Sequence, residues 1–409
     1  MTPHHRKQLT MAGILLLAAS AVPEAGRAAT QEQFFDSSVV HEIRVRMDPA
    51  DWEKLQQNYT LNDHYRVGFE WRDQSVPNVS IRSRGFGSRS AVKPGLLVTF
   101  NRYDRRQQFL GLTAVVLDNA TQDGSFMRER IAMTVFAGMG IPAPREAHTR
   151  LYLNDQYIGL YIIVERIDEA FLRRNFGNAD GDLYEYNWLA DYWFEYLGSD
   201  PARYVPMFEP KLEYDPELDV LVSFIRTINQ APDEEFLSQI SKYLDLNQLA
   251  AHLAVESFLA EFDGLTGNWG LNNFYLYRMP GGTRFLFLPW DKDHAFHDAA
   301  QAIDFNFDRN VLTRRLLRTA EFRDAFMQAN YRVMQQTRGW LDEQISLIEE
   351  QIRIPAYEDP FRPCENRMGS CTGEVFTGDV DFLRAFARER EAFVLEALAR
   401  MQAPPAETP

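Results

Sequence analysis

The sequence predicts an α+β protein, with a β-rich N-terminal lobe followed by an α-rich C-terminal lobe. Three observations lead there. Through the first third of the 409-residue chain, apolar residues alternate with polar ones, as on half-buried strands. At SFMRERIAMTVFAGMG the period changes to that of a helix face, with Met127, Ile131, Val135 and Met139 recurring together. From about Asp168 onward, segments with helical periodicity dominate.

The first strand is VVHEIRVRMD, in which Ile43, Val45 and Met47 alternate. A short helix, PADWEKLQQNY, follows with Asp48 as its cap. Val67, Phe69 and Trp71, then Val79 and Ile81, then Leu96, Val98 and Phe100 mark successive strands of an antiparallel sheet. QFLGLTAVVLDN supplies another strand. In the helix after it, Ser125 is the expected N-cap, and Gly138 and Gly140 mark the end. RLYL and YIGLYIIVER flank Asn154-Asp155, a hairpin signal. LDVLVSFIRTI, EEFLSQISKYL and LNQLAAHLAVESFLAEF are then helical, as are the regions 310–351 and 379–401.

The N-terminus carries Arg6 and Lys7, the apolar run MAGILLLAASAV and small residues in EAGRAA. This is the pattern of a cleavable signal peptide, and the run is too short for an ordinary membrane span. The expected location is secreted or periplasmic, with no stable membrane span after cleavage. Cys364 and Cys371, in RPCENRMGSCTG, fit an oxidising compartment and could close a short structural loop. The net charge of −15 and the lack of a basic block argue against a nucleic-acid partner. The expected division is a signal peptide over 1–28, the β-rich lobe over 29–167, the α-rich lobe over 168–403 and a disordered tail over 404–409.

The chemistry concentrates in EFDGLTGNWGLNNFYLYRMPGGTRFLFLPWDKD, residues 261–293. NNFYLY and TRFLFLPW are strands joined by MPGG, a hairpin turn. A hairpin holds its two ends together, so Asp263 and Asn268 before it can meet Asp291 after it. Carboxylates and carboxamides are the hard oxygen ligands that Mg²⁺ takes alongside substrate phosphates. The order matches a protein-kinase active centre: a catalytic Asp, a metal-binding Asn five residues later, and a second metal-binding Asp after a short hairpin. His294 and His297 do not have the spacing of a zinc pair, and NADGD lacks the terminal Glu of a calcium loop.

The chain resembles the spore coat protein H (CotH) kinase family, a secreted, atypical branch of the bilobal kinase-like fold. The resemblance rests on IRSRGFGSRSAVKPGLLVTF, LDNATQDGSFMRERIA, LYLNDQYIGLYIIVERID, FDGLTGNWGLNNFYLY and FLPWDKDHAF, in that order from about Val79 to Phe296. It implies that Asp263 is the catalytic Asp and Asp291 a metal ligand. Asn268 would bind metal, with Asn273 the competing choice, and Asp293 a further candidate. Lys93 would reach the nucleotide phosphates and pair with Glu129. Arg84 and Ser88 would line those phosphates, and Glu165 would border the adenine pocket. No GxGxxG loop precedes Lys93, EFD replaces His-Arg-Asp, and DKD replaces Asp-Phe-Gly.

The resemblance implies transfer of the ATP γ-phosphoryl group, with Mg²⁺ or Mn²⁺, to hydroxyls of an extracytoplasmic protein or surface-polymer acceptor. Two other readings stay open: a non-catalytic scaffold of the cell surface or matrix, and a nucleotidyltransferase that moves AMP on the same fold.

Overall fold

Seven strands close into a barrel at the N-terminal end of the chain. The computed structural model describes residues 29–212, 218–361, 363–364, 367–368 and 373–402. The expected signal peptide and C-terminal tail lie outside these residues, as does Cys371.

The barrel strands are β1 (His41–Arg46), β2 (Tyr65–Trp71), β3 (Gln74–Arg84), β4 (Gly95–Thr99), β5 (Ala114–Asp118), β6 (Glu146–Leu153) and β7 (Gln156–Val164), in the spatial order β1-β2-β3-β4-β5-β7-β6. The alternation read from sequence is the alternation of burial: Ile43, Val45, Phe69, Val79, Ile81, Leu96 and Val98 fill the interior. Six of the seven seams are antiparallel, as expected. The closing seam is not: β1 runs parallel to β6, with Ile43 opposite Leu151. Asn154 and Asp155 make the tight turn between β6 and β7 with φ of 48° and 69°, the left-handed values such a hairpin needs.

Helices α1 (Gln31–Phe34) and α2 (Pro49–Gln57) flank β1, and Asp48 caps α2 through Ala50 N–H at 2.8 Å. Helix α3 (Arg128–Gly138) packs on the barrel's outer side. Ser125 is not its cap. The Asp123 carboxylate accepts from Met127 N–H and Arg128 N–H at 2.8 and 2.9 Å, and Ser125 Oγ donates to that same carboxylate. One carboxylate oxygen, Oδ2, takes both orphan amides, while Oδ1 holds Ser125.

The C-terminal lobe contains α4 (Glu169–Phe176), α5 (Leu218–Gln230), α6 (Phe236–Ile240), α7 (Leu246–Phe258), α8 (Val311–Leu316), α9 (Ala320–Thr337), α10 (Trp340–Glu358) and α11 (Gly373–Gln402). It also holds a four-stranded sheet in the order β11-β10-β8-β9, formed by β8 (Asp182–Tyr186), β9 (Phe208–Pro210), β10 (Phe274–Arg278) and β11 (Phe285–Pro289). The expected hairpin is β10–β11; β8 and β9 were not anticipated. Helix α7 is buried on every side from Leu249 to Phe258. The outward side chains Val116, Ile162 and Val164 of the barrel join the apolar core of this lobe, which is separate from the barrel interior and ties the barrel's outer face to the helices. Among the described residues no helix is long and apolar enough to cross a membrane.

Candidate active site

The β10–β11 register sets the geometry. Phe274 stands opposite Pro289, and Trp290 N–H donates to Asn273 O at 3.2 Å. Just outside the ladder Asn273 is therefore held opposite Trp290, and Asp291 follows one residue further on. Asn273 and Asp291 both sit in the left-handed region, with φ of 55° and 51°, a conformation that Asn and Asp tolerate better than most residues. The loop from Phe262 to Asn273 folds back under them. Asn268 N–H donates to Phe262 O at 2.8 Å and Asn272 N–H to Gly264 O at 3.1 Å. A side chain at Gly267 would come within about 3 Å of the Gly264 and Asp263 backbone, so this turn requires glycine.

Asp263 is 9% exposed. Its carboxylate accepts from Asn272 Nδ2 at 3.1 and 3.0 Å and from Asn273 Nδ2 at 3.1 Å. Burial pushes its pKa up, and the Asn272 hydrogen bonds pull it back. Asn272 is a contact that the sequence reading passed over, although it stands beside Asn273. Asn268 is half-buried in the same loop, and its neighbour Trp269 is exposed at the loop surface.

Asp291 and Asp293 are half-buried. Burial raises both pKa values; Arg84 opposes that rise at Asp291, while Asp291 itself adds to it at Asp293. Arg84, at the end of β3, places Nη2 4.0 Å from Asp291 Oδ2 and donates from Nη1 to Asp118 Oδ2 at 2.8 Å. Arg84 and Asp118 lie two strands apart, with Gly95 of β4 between them in register. The absent side chain at Gly95 leaves the span between them open. Asp118 was another missed contact, though it lies in LDNATQDG, one of the segments that carried the resemblance.

The remaining candidates have other partners. Lys93 is fully buried: its Nζ donates to Asp359 Oδ2 at 2.7 Å and Leu160 O at 2.9 Å, and it faces the rings of Phe126 and Tyr161. The expected Lys93–Glu129 pair is not formed. Lys93 sits in the loop before β4, not within the strand, and that loop turns its side chain inward. Glu129, on α3, is buried beside Glu146, and burial together with that second carboxyl pushes its pKa well up. Neither Glu146 oxygen has a hydrogen-bond partner among the described residues. Glu165 is bound by Arg145 at 2.7 Å and Arg174 at 2.6 Å, so its carboxylate serves an internal ion cluster. Ser88 lies in the RGFGS loop, which turns at Gly85 (φ 102°); its carbonyl accepts from Asn119 Nδ2 at 3.0 Å. His294 contacts Gln122 through Nε2 at 2.7 Å, and the His297 ring stacks on Phe262.

The donor set fits a hard divalent cation. Asp291, Asp293, Asn268 and Asn273 offer carboxylate and carboxamide oxygens and no soft ligand. No three acidic, His or Cys side chains form a ready-made metal cage among the described residues.

Residues 81–394 match the family model described as CotH kinase protein. The inner spore coat protein H of Bacillus subtilis (strain 168) is 24% identical over 361 residues, spanning 80% of this chain and 92% of that protein. Two solved structures align over 75% of this chain. One is the Helicobacter pylori proinflammatory kinase CtkA, at 11% identity and TM-score 0.34 over 94% of its chain. The other is the HipA, HipB and operator DNA complex of Shewanella oneidensis MR-1, at 13% identity and TM-score 0.35 over 66% of the matched chain. The family model spans well over half of the sequence, from the end of the barrel's third strand into the last helix: the chain belongs to the CotH kinase family.

Proposed function

We propose that this chain is a secreted, metal-dependent kinase that transfers the γ-phosphoryl group of ATP to a hydroxyl on an extracytoplasmic protein or other surface acceptor. The observation that carries this reading is the convergence at one end of the β10–β11 hairpin. Asp263, Asn273 and Asp291 meet there, and Arg84 faces Asp291 from the barrel.

In phosphoryl transfer the protein mainly positions groups and neutralises charge. Asp263 would orient the acceptor hydroxyl and take its proton, its carboxylate held by Asn272 and Asn273. Asp291 and Asp293, with Asn268 or Asn273, would hold Mg²⁺ or Mn²⁺, which offsets the charge of the phosphates when bound. Arg84 is the cation that meets the phosphates on this reading, and Ser88 and the RGFGS backbone lie beside it. Lys93 is committed to Asp359, so no phosphate contact is assigned to it. Glu129 remains a candidate through its position near Asp291, and Glu165 is assigned a structural role.

The test is intact-mass measurement of the mature protein after incubation with ATP and Mg²⁺ or Mn²⁺, for wild type and Asp291→Ala. A gain of about 80 Da per event in the wild type alone is expected. A gain matching AMP would make the chain a nucleotidyltransferase. Absence of both modification and metal-dependent ATP binding would leave the scaffold.

A further inference from the structure

Lys292 stands between Asp291 and Asp293 but points away from them. Its side chain is 1% exposed, against 31% for Asp291. In the core, Lys292 Nζ donates to Glu256 Oε1 of α7 at 2.7 Å and to Asn273 O at 2.9 Å. The other Glu256 oxygen, Oε2, accepts from Leu265 N–H at 2.9 Å, inside the loop that carries Asp263. A side chain at Gly264 would come within 2.6 Å of that carboxylate, so the loop rests directly on it. Asn273, whose carbonyl Lys292 holds, reaches back through Nδ2 to Asp263.

One buried ion pair therefore touches every part of the site that has to stay in register: the Asp263 loop, the start of the hairpin and the Asp-Lys-Asp segment at its end. We propose that Lys292 and Glu256 are positioning residues for phosphoryl transfer, fixing Asp263 relative to Asp291 without touching substrate. This rests on the kinase reading above. A buried ion pair is seldom more stabilising than an apolar pair of similar volume. What an apolar pair cannot replace is the partner for Leu265 N–H and for Asn273 O, and losing either frees the loop to shift. A misplacement of about 1 Å in such a site costs on the order of 100-fold in rate.

The experiment compares wild type with the double variant Lys292→Met/Glu256→Leu, which removes both charges of the pair together and with them the contact of Glu256 to the buried His252. Phosphate incorporation from ATP with Mn²⁺ into the protein itself, nucleotide affinity, melting temperature and hydrogen exchange at the Leu265 amide are read together. The expected result is melting that stays cooperative but is lowered by the buried hydrogen bonds lost, nucleotide affinity within about threefold, and transfer slowed about 100-fold with faster exchange at Leu265. Wild-type transfer with unchanged exchange would overturn the proposal, because the pair would then serve stability alone. If the double variant does not fold, Glu256→Gln, which keeps side-chain volume, is read the same way. If the wild type neither binds nucleotide nor transfers phosphate, the kinase reading has failed. Exchange at Leu265 then decides alone whether the pair positions the loop.

Discussion

At the scale of the residue, two cations that the sequence could not tell apart have different fates. Lys93 and Arg84 both lie near the turn that follows β3, and both were candidates for the phosphates. Arg84 faces Asp291, whereas Lys93 is sealed against Asp359. Lys93→Met would remove the ammonium that meets the buried Asp359 carboxylate, so it should cost about 3–5 kcal/mol of stability. Nucleotide affinity in the surviving folded protein should change little. Arg84→Met should also lower stability, because Arg84 Nη1 holds the buried Asp118 carboxylate at 2.8 Å, but unlike Lys93→Met it should weaken metal-nucleotide affinity about tenfold or more, the size expected for losing a charge-assisted contact of about 1.5–3 kcal/mol. Thermal melts and calorimetric titrations on the two variants separate these outcomes. Asp263→Asn keeps the shape of the loop but removes the proton acceptor. Its transfer rate in single-turnover assays should fall about 10²–10⁴-fold while nucleotide binding persists.

At the scale of the element, the loop that carries Asp263 rests on two buried carboxyls held in opposite states. Burial pushes Glu261 up to about 8, and its Oε1 accepts from Asp263 N–H. Burial also acts against Glu256, but Lys292 and His252 outweigh it and hold the group at about 2. The signs follow from which state binds the proton. Folded Glu261 keeps a proton that the unfolded chain releases near its ordinary 4.5, so its contribution to stability falls as pH rises from there to about 8. Folded Glu256 stays ionised where the unfolded chain protonates, so its contribution is present above 4.5 and lost as pH falls toward about 2. Glu261→Gln should therefore flatten the decline in stability between pH 5 and 8, as read by urea unfolding across pH, and leave the acid limb in place. The hairpin above this loop was legible because its apolar residues and MPGG turn are local signals. The closure of the barrel was not. Its parallel seam joins Ile43 to Leu151, and no local period marks which distant strand completes a sheet. The strand β8 was hidden for a related reason: DLYEY is short and takes its place by pairing with β10 and β9.

At the scale of the whole molecule, the lobes are joined by an apolar interior and by pairs remote in sequence, such as Lys93 with Asp359 and Arg130 with Gln351. Such pairs leave no trace in spacing, which explains why the partner of Lys93 could not be read from the sequence, whereas the hairpin that separates Asp263 from Asp291 could. The same architecture sets an expectation for ligand binding. The candidate ligands come from both lobes: Arg84 from the barrel, and Asp263, Asn273 and Asp291 from the helical lobe. A metal-nucleotide complex that touches both should bind the folded chain and not the unfolded one, and so stabilise it by mass action. At a concentration about 100 times Kd the gain is about 2.7 kcal/mol, which a thermal melt resolves as a rise in midpoint. The rise should require nucleotide and Mg²⁺ or Mn²⁺ together and vanish in Asp291→Ala. A rise with nucleotide alone would place the binding energy on Arg84 and the barrel. No rise in the wild type under any combination would mean that the site, although assembled, does not hold the complex.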